Sequence, residues 1–224
     1  MINFTEFERI ELKQAIFKKH IIVDSHVYSV FGKRIFDLLI ASFLIVFILI
    51  WLIPLLGIII KLVSPGPILF MQKRTGKNGQ PFKCIKLRTM QHNITGKFQQ
   101  ATQNDPRITS IGKILRKTNL DELPQLINVL VGDMSIVGPR PHAVQHDAQY
   151  WELLPDYEER YLVKPGITGL AQVRGYRGET PLLINMKHRV RLDKWYIGNY
   201  SLNFDLLICW WTVKKMFLGD NNAW

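Results

Sequence analysis

The chain has 224 residues, with 29 Lys and Arg against 18 Asp and Glu, a net charge of +11, and 47% apolar residues. That apolar content excludes an intrinsically disordered chain, and 15 Gly with two isolated cysteines exclude a collagen or a disulfide scaffold. A chain both basic and greasy fits two partners, nucleic acid or an anionic membrane surface.

Residues 1–32 form a lead-in. Phe4, Phe7, Ile10, Ile16 and Phe17 recur at near-helical spacing with charges between them, an amphipathic helix for the bilayer or for packing on the following domain. Between Asp37 and Lys61 lie 23 residues without a charge. As a helix they reach roughly 34 Å, enough to cross a hydrocarbon core. The run starts too late and is too long for a cleaved signal peptide. Pro54 is expected to break or bend it near Leu52 and Ile53. Basic residues stand on both sides, Lys33 and Arg34 before it and Lys61, Lys73, Arg74 and Lys77 after it. The positive-inside rule therefore marks both ends as cytoplasmic. Two shapes satisfy these residues, a re-entrant helix that dips into one leaflet and a proline-kinked single span.

SerProGlyPro at 64–67 stops the helix, and strands at 68–74 and 81–90 form a hairpin. Helical patterns follow at 109–117, 120–131, 142–162, 181–198 and 203–218. In the last, paired Trp beside paired Lys suits either the membrane interface or a buried core. Segment 61–140 holds 13 Lys and Arg against four acids. Such a basic stretch can bind anionic lipid or the phosphates of a substrate. Nucleic acid is excluded by the lack of a recognition motif and of aromatics interleaved with the basic residues.

Asp121 and Glu122 are adjacent acids in this basic part. In one reading Asn119 caps a helix, and both acids sit in its first turn with Glu122 closing a capping box. In the other, the two carboxylates, ringed by Lys86, Arg116 and Arg140, form a Mg²⁺–phosphate site. A carboxylate that approaches phosphorus needs cations to neutralise the phosphate oxygens. The two readings are compatible. His142 and His146 have a spacing zinc can use, but no third ligand is evident. Asp105 and Asp133 read as turn residues, and Asp193 and Asp205, among aromatics, as structural. Ser and Cys nucleophiles find no partnered His.

Four stretches in order, KRIFDLLIA, SPGPILFMQKRTGKNGQPFKCIKLRTM, DPRITSIGKILRKTNLDELPQLINVLVGDMSIVGPRP and KPGITGLAQVRGYRGET, resemble the bacterial sugar transferases, the monotopic phosphoglycosyl transferases. The resemblance runs from about Lys33 to the C-terminus, roughly six-sevenths of the chain. PRPHAVQHDAQY, RGET and the closing NAW are most similar to the undecaprenyl-phosphate glucose-phosphate transferases of exopolysaccharide and colanic-acid synthesis, of which this chain resembles the minimal catalytic form.

The resemblance implies a mostly helical α+β monotopic membrane protein. It would comprise the lead-in (1–32), a re-entrant proline-broken membrane helix (33–63) and a cytosolic catalytic domain (64–224) with a short β-hairpin and amphipathic interface helices. It implies transfer of a sugar 1-phosphate, best matched by glucose 1-phosphate, from a UDP-sugar to undecaprenyl phosphate at the cytoplasmic face of the bacterial inner membrane. UMP is released through a phosphosugar–Asp intermediate. This would be the first membrane step of exopolysaccharide, capsule or lipopolysaccharide O-antigen assembly. Asp121 would be the nucleophile and contact Mg²⁺, with Glu122 as base or metal partner. Lys86, Arg116, Arg140 and, more weakly, Arg177 would bind phosphate and nucleotide. Inner-membrane lipids and downstream glycosyltransferases are the implied partners. Leu170 and Arg174 depart from the family pattern, which has Trp and Asn there, and leave sugar preference open between glucose, galactose and N-acetylhexosamines. Rival expectations are a non-catalytic membrane-anchored scaffold and a peripheral binder that uses charge alone.

Overall fold

The computed structural model describes residues 28–91, 102, 105–176, 178 and 183–218. Of the lead-in it therefore includes only Tyr28–Gly32, a wide π-type turn. Helix α1 (Lys33–Val63) follows as one 31-residue helix. Within the uncharged run Pro54 alone lacks a backbone N–H, yet the helix is not interrupted there. A widened π turn at Ile45–Leu49 lies just upstream, and both flanks stay helical.

Both arms of α1 rest on the same domain. Phe36 and Ala41 enter the main core with Val129, Met134, Val137 and Ile208. Leu56 and Ile60, near the other end, pack with Leu87 and Leu115. Gly57 permits this second contact, because a Cβ there would stand 2.9 Å from Ile68 Cδ1. Between the arms, Phe47 and Trp51 are 64% and 75% exposed.

Polar hooks fix the first arm. Lys33 Nζ donates to the Val137 carbonyl at 2.9 Å and to Asp205 Oδ2 at 2.6 Å. Arg34 donates to the Val129 and Leu130 carbonyls at 2.6 and 2.7 Å. Asp37 Oδ1 accepts from Ser135 Oγ at 2.8 Å and from the Ile136 N–H at 2.9 Å. Asp205, fully buried, also accepts from Tyr28 and Tyr196 hydroxyls at 2.6 and 2.7 Å. Its structural role is as the sequence suggests.

The domain opens with the expected hairpin, β1 (Leu69–Thr75) antiparallel to β2 (Pro81–Leu87), in register from Leu69 opposite Leu87 to Thr75 opposite Pro81. Asn78 (φ 56°) and Gly79 (φ 73°) turn the chain between them. Helix α2 (Ser110–Thr118) is capped by Thr109, whose Oγ1 accepts from the Gly112 N–H at 3.0 Å. The pattern at 120–131 is two pieces, a 3₁₀ turn at Leu120–Glu122 and α3 (Gln125–Val131). Arg34 satisfies carbonyls at the end of α3, where a cation is favoured.

Next come β3 (Ser135–Val137), α4 (Val144–Trp151), a 3₁₀ turn at Tyr157–Tyr161 and β4 (Gly166–Thr168). Strands β3 and β4 pair in parallel, a second small sheet without an equivalent in the sequence reading. The helix expected over 142–162 stops at Trp151, and Asp156 (φ 60°) leads into the 3₁₀ turn. Short α5 (Leu170–Val173), α6 (Leu183–Asn199) and α7 (Leu202–Leu218) are the last of the described elements. Among the described residues the fold is mostly helical with two small sheets; the helical character and the hairpin were expected, the β3–β4 sheet was not.

Candidate active site

Alternation along the hairpin sorts the side chains. Phe70, Gln72 and Arg74 of β1 share a face with Lys86, Cys84 and Phe82 directly across on β2. Cys84 roots that face in the main core beside Leu126. The turn that carries Asp121 and Glu122 packs at this face, and the loop after β3 brings Arg140 from the other side.

Glu122 is the meeting point. Its Oε1 accepts from Lys86 Nζ at 2.6 Å and from Arg140 Nη2 at 2.6 Å, and its Oε2 accepts from Arg140 Nη1 at 3.1 Å. The Arg140 contact is the two-pronged fork that guanidinium geometry favours. The three side chains are 5%, 14% and 16% exposed for Glu122, Lys86 and Arg140. Burial lowers Lys86 from the ordinary lysine range, with the Glu122 carboxylate pulling it back. Arg140 is opposed by burial, but Glu122 outweighs this and raises it. Asp121, also buried, is the largest charge that supports Arg116 against the lowering by burial. Arg116 Nε donates to Thr89 Oγ1 at 2.9 Å.

The structure thus brings together five of the residues expected from sequence: Lys86, Arg116, Asp121, Glu122 and Arg140. Arg177 lies outside the described residues. Arg74 was weighed above only as a membrane-flanking charge. It belongs on the site's face, and the even spacing along β1 was the available signal. With it, four cations (Arg74, Lys86, Arg116, Arg140) stand around two carboxylates. Buried charge of one sign in excess is costly unless an anion completes it. The arrangement suits a doubly charged phosphate ligand.

One reading of these acids is corrected. Asn119 does precede a turn that holds both acids, the 3₁₀ turn Leu120–Glu122, but its side chain does not cap it. Asn119 adopts the left-handed conformation (φ 61°) that ends α2. Asn tolerates this region better than most residues. The Glu122 carboxylate goes to Lys86 and Arg140, so the capping box does not form.

The donors present fit Mg²⁺ in one way. Among the described residues no three His, Cys, Asp or Glu side chains group to hold a metal. Glu122 already receives two cations, and Asp121 beside it is the second carboxylate that would share a metal with incoming phosphates. That suits Mg²⁺, which usually takes one or two carboxylates plus substrate oxygens.

His142 belongs to a buried network instead. Its Nδ1 lies 3.0 Å from Arg160 Nη1 and 2.7 Å from the Tyr157 hydroxyl, and its Nε2 lies 3.1 Å from Arg189 Nη1. Asp147 Oδ1 is 3.3 Å from Nδ1. A doubly protonated ring would set donors against arginine donors on both sides. Burial first, then Arg160, hold its pKa well below the ordinary value. The side chain of His146 lies outside the described residues. In the unfolded chain a histidine titrates near ~6.5, so below that pH the unfolded state binds a proton that folded His142 refuses. Stability is therefore expected to fall by about 1.4 kcal/mol per pH unit as the pH drops below ~6.5. Melting temperatures from pH 7.5 to 5.5 check it: His142→Gln flattens the slope, and parallel curves for both proteins contradict it.

The two departures from the family pattern have plain structural uses. Leu170 is buried in the main core. The Arg174 guanidinium lies 4.9 Å from the Trp211 ring centre.

Comparison with known proteins adds the lineage. The family model described as bacterial sugar transferase matches residues 28–219. The "UDP-glucose:undecaprenyl-phosphate glucose-1-phosphate transferase" of Escherichia coli K12 is 50% identical over 188 residues, which cover 84% of this chain and 40% of that protein. The protein of the same name from Caulobacter vibrioides is 48% identical over 190 residues, 84% of this chain and 71% of its own length. The "Exopolysaccharide production protein PSS" of Rhizobium leguminosarum bv. phaseoli is 46% identical over 186 residues, 81% of this chain and 92% of its own length. The chain therefore spans well under half of the Escherichia coli relative and nearly all of the Rhizobium one. A family model that extends from the turn before α1 through α7 settles the matter: the chain belongs to the bacterial sugar transferase family.

Proposed function

We propose that the protein is a phosphoglycosyl transferase that moves a sugar 1-phosphate, glucose 1-phosphate in the first instance, from a UDP-sugar to undecaprenyl phosphate. The observation that carries this is the buried Asp121–Glu122 turn with four cations around it. Relatives named for the glucose reaction in Escherichia coli and Caulobacter vibrioides support the choice of substrates.

In this mechanism an Asp121 oxygen attacks the β-phosphorus of the UDP-sugar. The bond from that phosphorus to the bridging oxygen breaks, and UMP leaves with the electron pair. The sugar phosphate stays on Asp121 as a mixed anhydride. An oxygen of undecaprenyl phosphate then attacks the same phosphorus and returns the Asp121 carboxylate. Splitting the transfer in two lets each nucleophile meet the phosphorus separately. Lys86 and Arg140 neutralise the diphosphate oxygens, and Arg116 lies beside Asp121 to offset its charge. Bound Mg²⁺ would supply further neutralisation of the diphosphate. Glu122 orients Lys86 and Arg140, and a metal or a proton reaches its carboxylate only where one of those contacts opens.

The membrane reading is re-entrant, with the domain on the cytoplasmic face of the bacterial inner membrane. It is supported by the return of both α1 arms to one domain, since a straight span would leave one end across a bilayer about 30 Å thick. Leu202, Leu206, Trp210 and Val213 make an exposed apolar stripe on α7 beside Lys214, suited to the interface. The lipid-linked product calls for a glycosyltransferase to extend it. Cysteines at His20 and Lys77 are expected to label from the same side of sealed vesicles, and opposite-side labelling overturns re-entry. Native Cys84 is buried, and burial pushes the Cys209 thiol up to about 12, so both give a low background.

The transfer itself is tested by UMP release with Mg²⁺, undecaprenyl phosphate and each of UDP-glucose, UDP-galactose and the UDP-N-acetylhexosamines. UDP-glucose is expected to lead. Absence of UMP with every donor overturns the proposal.

A further inference from the structure

The loop that delivers Arg140 is Gly138–Pro139–Arg140–Pro141, and its two prolines give it no N–H of their own to anchor with. The Gly138 N–H anchors its start on the Thr168 carbonyl at 2.9 Å, and from Pro139 to His142 four successive carbonyls hold the rest. Pro139 O accepts from the Gly166 N–H at 2.9 Å, and His142 O accepts from the Thr75 N–H at 3.2 Å. Between these, Arg140 O accepts from Arg160 Nη2 at 2.9 Å, and Pro141 O accepts from Arg74 Nη1 at 2.5 Å.

The Arg160 clamp is itself clamped. Its side chain is 1% exposed, and its Nε donates to Asp193 Oδ2 at 2.8 Å, a carboxylate 2% exposed on α6. Its Nη1 donates to the Tyr157 hydroxyl at 3.1 Å, and its guanidinium lies 5.1 Å from the Tyr157 ring centre. A continuous chain of polar contacts therefore runs from Asp193 through Arg160 to the Arg140 backbone, and on through the Arg140 guanidinium to Glu122. A buried ion pair adds little net stability compared with apolar residues of the same size. It does fix a direction, and that is what a phosphate-binding arginine between two prolines lacks.

We infer that Arg160 is a positioning residue for phosphoryl transfer, acting through the Arg140 carbonyl to aim the Arg140 guanidinium at the reacting phosphates. The inference rests on the proposed transferase reading of the site. Arg160 is too far inside the domain to meet substrate. Its effect on the transfer step therefore runs through the placement of Arg140, and misplacement by about 1 Å is worth roughly 10²-fold in rate.

A double-mutant cycle on UMP release separates this role from general support of the fold. Arg160→Lys keeps the charge opposite Asp193 but lacks the second nitrogen that reaches Arg140 O. Alone it is expected to lower kcat by roughly 10- to 100-fold. In an Arg140→Gln background the same change is expected to cost less than about twofold, because the group it positions is gone. Equal losses in both backgrounds overturn the inference. Asp193→Asn, which leaves Arg160 in place and loosens its hold, runs through the same cycle if Arg160→Lys does not fold, with the same two outcomes. Wild-type protein that releases no UMP defeats the transferase reading and this inference together, whereas an active wild type with additive losses defeats this inference alone.

Discussion

Asp121→Asn is expected to lower UMP release by roughly 10³-fold or more, the scale seen when a covalent nucleophile is removed. The side chain is 7% exposed in a short turn between α2 and α3, and Asn has the same shape, so the fold is expected to persist. Asn also withdraws the charge that supports Arg116, so some loss of Tm is expected, smaller than for Glu122→Gln, while UMP release collapses. Unchanged turnover would remove Asp121 from the nucleophile's role and leave the cations as a binding site without covalent chemistry. The donor alone offers a sharper form of the test. Wild type without undecaprenyl phosphate is expected to release up to one UMP per active site, and Asp121→Asn none.

Glu122→Gln is expected to act first on stability. The carboxylate holds Lys86 and Arg140, both largely buried, and a neutral amide leaves their charge uncompensated. Loss of one partner from a buried ion pair costs about 3–5 kcal/mol. In a chain of this size that is roughly 6–20 °C in Tm, toward the lower end because the amide oxygen still accepts one hydrogen bond. Thermal unfolding in detergent reads it. A Tm within about 2 °C of wild type would mean that water already shares these charges. Lys86→Met makes the contrast, since Glu122 keeps its fork to Arg140 and the drop is expected to be smaller. Asp121→Asn is thus expected to show the larger loss in the assay and Glu122→Gln the larger loss in the melt.

How far the sequence spoke depends on how local each feature is. The apolar run was legible because its 23 residues carry one signal without interruption. The hairpin was legible from its turn residues, and Asp121 and Glu122 from their isolation among basic neighbours. Asn119 misled because the same residue type caps helix starts and ends helices in the left-handed conformation. What decides is whether the helix is arriving or leaving. The arriving helix was itself expected at 109–117, but no glycine marked its end, so Asn119 read as the start of the next one. Strands β3 and β4 escaped because each is three residues long and their partners lie far apart in sequence, where periodicity has nothing to measure. The Arg160 clamp escaped for the same reason, since Arg140 and Asp193 stand 20 and 33 positions from it.

The polar hooks on α1 bear on how the protein is made. Lys33 finds Asp205 across 172 positions of chain, and Asp37 finds Ser135 across 98. At roughly 5–20 residues per second, a gap of 172 positions is about 10–30 s of synthesis during which Lys33 lacks its carboxylate. Over that interval the apolar segment is out of the ribosome before the domain that receives its charged end exists. Membrane entry and domain folding are thus joined in time as well as in space. A ribosome stalled before Asp205 would leave Lys33 without its carboxylate and the first arm of α1 without part of its seat.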